Sequence, residues 1–163
     1  MQRSVIVGLA LAFVAAAVAA AALVSLTGSD EGARGDPAAF VSRIVALVVA
    51  DDYGAAWGSL YPAHQLVAPR REYVDCELRS PVGASVRSID VLRVADRSVR
   101  IPGEPRRVDA KAVTLRVHIV NTALRTRDAF RHTFNAVPVG SHWAWILTPG
   151  RYELYRTDAC GTV

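Results

Sequence analysis

The stretch Asp36–Cys76, DPAAFVSRIVALVVADDYGAAWGSLYPAHQLVAPRREYVDC, decides the fold. Asp36 followed by Pro37 is a helix start: an aspartate oxygen can accept the unpaired N–H groups of a first turn, and proline suits the first helical position. Phe40, Val41, Ile44, Val45, Leu47 and Val48 recur at three- and four-residue spacing, which gathers them on one side of a helix. Asp51 and Asp52 break that helix and can cap a second, whose apolar side is Ala56, Trp57, Leu60 and Tyr61, with Pro62 expected to end it. A third helical piece begins at Pro69 and carries Tyr73 inward before Cys76. The stretch therefore predicts three helices forming one cradle, and an architecture rather than a chemistry.

Downstream of Cys76 the period changes. Ala84 to Val94 carries Val86, Ile89, Val91, Leu92 and Val94 with imperfect alternation, the pattern of a strand with a bulge. Ile101–Pro105 is a loop, because two prolines and a glycine cannot continue a ladder. Val113, Leu115, Val117 and Ile119 alternate with Thr114, Arg116 and His118 in the clearest half-buried strand of the chain. The next strand is expected over about Asp128–Val139, with Phe130, His132 and Phe134 on the inward face. A turn at 139–142 leads to a strand over 143–148, and a last strand or extended tail is expected at Tyr152–Tyr155, before Cys160. Helices followed by a run of antiparallel strands predict an α+β domain, three N-terminal helices on one face of a curved antiparallel sheet.

Upstream, Arg3 is followed by no charged residue until Asp30. The apolar run from Val5 to Leu26 would span roughly 33 Å as a helix, enough for a bilayer core. Residues 1–27 thus read as a transmembrane anchor or, with Ala20-Ala21-Ala22 as a small-residue cleavage site, as a secretory signal. In either case Arg3 stays inside and the domain goes outside. Residues 28–35 form a polar linker, and residues 36–163 are of a size to form one domain with its own core.

The net charge of +4 comes almost entirely from arginines dispersed among acids, which reads as a solvated surface and not as a nucleic-acid face. The four histidines, His64, His118, His132 and His142, have no metal-ligand spacing. There is no G-x-S-x-G elbow and no phosphate-cradling glycine loop. No catalytic residue, metal ligand or cofactor is assigned. Trp57, His132 and Trp145 are the candidate pocket-lining residues, with core packing the competing role for both tryptophans and for His132. Cys76 and Cys160, an even pair in an exported domain, are expected to form a disulfide.

RIVALVVADDYGAAWGSLYP resembles the helix–Asp–aromatic–helix hinge of the nuclear transport factor 2-like superfamily, which includes the ketosteroid isomerases. The order of helices and strands from Asp36 to Tyr155 is similar as well, and EYVDCE with a late cysteine resembles a small exported bacterial subgroup of undefined role. The resemblance implies a cone-like sheet enclosing a pocket. It places Ile44 where the isomerases carry an oxyanion-polarising tyrosine, and isoleucine has no donor to offer. Asp90 and Asp128 match the isomerase base by residue type alone. The expected function is a non-catalytic binding or interaction module of the cell envelope, with a small apolar ligand or an envelope protein as partner. The alternative is an isomerase- or dehydratase-type enzyme.

Overall fold

The computed structural model describes residues 34–161; the apolar segment 1–27, most of the linker and the last two residues lie outside them. Among the described residues no helix is long and apolar enough to cross a membrane.

Helix α1, Pro37–Val49, starts as the sequence dictates: the Asp36 carboxylate accepts from the N–H groups of Ala38 (2.9 Å) and Ala39 (3.2 Å). Its buried face is Ala38, Phe40, Val41, Ile44, Val45 and Val49, which packs on Val113, Leu115, Val117, Ala136 and Trp143. Each buried valine or isoleucine contributes on the order of 1.5–3 kcal/mol. The chain then turns at Asp51, which takes φ +58°, a conformation that L-residues other than Asn and Asp seldom adopt. Its carboxylate accepts from Tyr53 Oη (2.8 Å), Val82 N (2.8 Å) and Gly83 N (3.2 Å), so the hinge of the helices is tied to the start of the sheet. Burial pushes this carboxyl up, but the three hydrogen bonds outweigh it and hold the group below its ordinary value.

Asp51→Ala is expected to cost about 2–3 kcal/mol, since it leaves the buried Tyr53 hydroxyl and the half-buried Gly83 N–H without their acceptor and keeps a strained backbone. Asp51→Asn should recover much of that loss, because asparagine tolerates this φ and one oxygen can still serve both Tyr53 and Val82. Urea midpoints of the two variants would measure the difference; equal losses would mean that the hydrogen bonds to Asp51 do not stabilise the hinge.

Asp52 caps helix α2, Tyr53–Trp57, accepting from Ala55 N at 3.1 Å. Pro62 does not end a helix, contrary to the expectation. It opens α3, Pro62–Val67, at the first helical position, where its missing N–H costs nothing. With α4, Arg70–Glu77, the cradle holds four helices instead of three.

Four strands, β1 Ala84–Arg100, β2 Arg107–Asn121, β3 Arg127–Val139 and β4 His142–Ala144, form one open antiparallel sheet in the order β1-β2-β3-β4. β1 is longer than expected and breaks register at Val86/Ser88 and Val91/Arg93, the bulges its irregular alternation announced. β2 and β3 pair Val113 with Phe134, Leu115 with His132 and Val117 with Phe130, so these six share the face on which α1 packs. A separate cluster, Val99, Ile101, Ala110 and Val137, is closed by Tyr61, Val108 and Ile146.

After β4 the expectation of strand fails twice. Trp145 makes only an isolated bridge to Leu60, and Tyr152–Tyr155 belongs to a helix, α5, Pro149–Arg156. The reason is local: Thr148 Oγ1 accepts from Arg151 N and Pro149 takes the first helical position, a cap that outweighs the strand preference of two tyrosines. Among the described residues, five helices therefore pack against the sheet, in an α+β domain.

Cys76 at the end of α4 and Cys160, in a short 3-10 turn at Ala159–Gly161, form a disulfide with Cα atoms 5.8 Å apart. Arg79 adds a hydrogen bond to the Cys160 carbonyl.

Candidate functional site

β4 pairs with β3 only at Val137–Val139, so among the described residues β3 keeps a free edge over most of its length. A cavity of about 670 Å³ lies against it, lined by Phe130 and His132–Asn135 from both faces of the strand. Ile44, Val45, Val48 and Val49 of α1 form one wall, Tyr73 and Glu77 of α4 another. Trp145, Ile146, Leu147 and the start of α5 with Arg151 close it. The volume falls within the range of small-molecule sites, and the lining is apolar with few polar groups.

Of the residues singled out from sequence, Trp145 and His132 line this cavity and Trp57 does not. Trp57 packs among α2, α3 and α4, where its indole N–H donates to the Ala68 carbonyl at 2.8 Å. Trp145 is fixed in the same way by the Ala56 carbonyl (2.8 Å), so its ring holds a set orientation in the wall. His132 lies on the inward face but is exposed, its ring edge-on to Phe134 with centroids 4.7 Å apart; the interior histidine expected there is not found. The reason is coverage, since α1 seals Leu115 on the neighbouring strand and leaves its β3 partner at the cavity edge.

The histidine that is buried is His64, fully enclosed outside the cavity lining. Ile44 stands in the cavity wall and offers no donor. Asp90 is not in the lining and faces His118 at 3.2 Å, both side chains half-exposed. Asp128 accepts from the N–H of Ala129 at 2.7 Å, also outside the lining.

The polar part of the cavity is a group the sequence reading did not single out. Glu77, 8% exposed, accepts from Tyr155 Oη through one oxygen (2.6 Å) and from Arg151 Nη2 through the other (2.8 Å). Burial, followed by the Glu77 carboxylate alongside, raises the Tyr155 phenol far above its ordinary value, and burial does the same to Tyr73. Both phenols therefore remain protonated donors at any physiological pH. The one available signal for this group was the i, i+4 spacing of Tyr73 and Glu77, which puts them on one face of α4. Its partners come from α5, in a segment that reads as strand.

A second, shallower depression is lined by Phe40, Arg43, Ser59, His142 and Trp143. Among the described residues no group of three His, Cys, Asp or Glu could hold a metal ion. Compared with known families and with curated proteins, the chain matches none.

Proposed function

We propose that this chain is a non-catalytic binding module of the bacterial cell envelope, held outside the membrane by its N-terminal segment or released by cleavage of it, with the cone-like fold of the nuclear transport factor 2-like superfamily. It holds a small apolar ligand in the cavity between α1 and β3. The observation that carries this reading is the cavity itself: an apolar chamber in which Glu77, the one buried carboxylate among the described lining residues, has both oxygens engaged by donors. A general base must reach the proton it abstracts, and Glu77 faces an arginine and a phenol instead. The disulfide supports an oxidising, extracytoplasmic setting.

Trp145 provides the readout. Titrating purified residues 36–163 with an apolar fluorophore-free ligand should shift tryptophan emission saturably, and Trp145→Phe should abolish the shift. An emission change that never saturates, or that survives in Trp145→Phe, would place binding elsewhere. The enzyme alternative has its own test: with isoleucine at position 44, no acceleration of Δ5-ketosteroid isomerisation is expected, and a rate gain of even about a hundredfold, the lower range for positioned acid–base groups, would reverse the assignment.

A further inference from the structure

We infer that the cavity ligand is a monocarboxylic acid with an apolar body, a fatty-acid-like amphiphile whose head sits on Arg151; this deepens the binding reading above and rests on it. Among the described residues two arginines, Arg100 and Arg151, line the cavity against one carboxylate, Glu77, so the fixed charges of the described wall sum to one positive charge. An apolar chamber with an excess cation favours an anionic head over a neutral one, because the charge is only partly hydrated there.

Arg151 is also held in place. Nη2 donates to Glu77 at 2.8 Å while the side chain stays 43% exposed, and among the described residues its Nε and Nη1 make no hydrogen bond. Glu77 is itself fixed by Tyr155 at 2.6 Å, and α4 and the segment after α5 are joined by the disulfide. The guanidinium is thus oriented before any ligand arrives, with N–H donors left over for a carboxylate. Val45, Val48 and Phe134 supply an apolar surface for the chain of the same molecule.

The test uses the full chain in lipid nanodiscs and three photoreactive probes with one alkyl body: diazirine-bearing dodecanoic acid, the matched alcohol and the matched methyl ester. Peptide mapping reads which cavity segments are labelled. The acid should label segments around Val48 and Phe134 about tenfold more than the alcohol or ester, the effect of one hydrogen bond to a charged group. Arg151→Gln should bring the acid down to the level of the alcohol. Because the three probes are compared on the unaltered protein, the result does not depend on how well that variant folds. Equal labelling by acid and alcohol would overturn the head-group inference and leave the apolar-ligand reading standing. Labelling of the cavity by none of them would overturn both.

Discussion

Replacing Cys76 and Cys160 together by alanine is expected to lower the stability of the domain by about 4 kcal/mol and its melting temperature by roughly 10–20 °C. The bond joins residues 84 apart in sequence, a loop that includes the whole sheet. Loop-closure reasoning puts the effect of such a long loop at about 4.5 kcal/mol, from the restriction of the unfolded chain. Native geometry does not oppose it, since a Cα separation of 5.8 Å is the usual one for a bridged pair. The effect should be uneven in space. α5 rests on α4 through Tyr155, Arg151 and the bridge, so amide exchange over 149–161 should rise more than in β2. Intact mass under non-reducing conditions, two hydrogens below the reduced chain, checks the bond in solution. A double variant with an unchanged denaturation midpoint would show that the bridge is incidental to the fold.

That bond was legible from sequence because it needed only a count and a compartment. The same holds for the elements with local determinants. Asp36-Pro37 caps α1 by itself, and the alternation of Val113, Leu115, Val117 and Ile119 makes β2 a strand with one buried face whatever surrounds it. The errors fall where a residue type speaks two languages. Pro62 reads equally as a stop or as a first helical residue, and residue type alone cannot choose; the Tyr61 ahead of it is non-helical, as a residue before proline usually is. Tyr152 and Tyr155 favour strands by type, yet Thr148-Pro149 ahead of them sets a helix.

The polar part of the cavity was hidden for a different reason. Glu77 and Arg151 are 74 residues apart, and no local pattern links a carboxylate near the end of one helix to an arginine in another. Among the histidines, flanking Phe130 and Phe134 made His132 look interior, whereas burial depends on whether a helix covers the strand, which periodicity cannot report. Nothing in YPAHQ distinguishes His64 at all.

His64 is nonetheless the residue whose loss is expected to be felt most among the polar side chains. It is fully buried and joins three segments: Leu147 N–H donates to Nδ1 at 3.0 Å, and Nε2 lies 3.0 Å from the Pro102 carbonyl. An Nδ1 that accepts carries no proton, so the ring is the neutral tautomer with its hydrogen on Nε2, donated to Pro102. Gly103 shapes the loop that presents this carbonyl; it takes φ +83°, and a Cβ there would collide with the Tyr152 hydroxyl, whose ring packs on His64 at 5.1 Å. His64→Leu fills similar space but strands one donor and one acceptor, at about 1–3 kcal/mol each, so a loss of about 3 kcal/mol is expected from denaturant unfolding.

The pH dependence is sharper evidence for the same arrangement. Burial lowers the imidazole below its ordinary 6.5, and this outweighs the Pro102 hydrogen bond and the nearby Glu104 charge, both of which favour the proton. The unfolded chain therefore takes up a proton near pH 6.5 that the folded chain refuses. The stability His64 contributes is complete above that pH and declines as pH falls below it, down through the lowered folded value. Unfolding free energies measured across this window should fall with acid in the native protein and fall less in His64→Leu. Parallel curves for the two proteins would mean that His64 is protonated at little cost in the fold, and that the hydrogen bond from Leu147 is not made in solution.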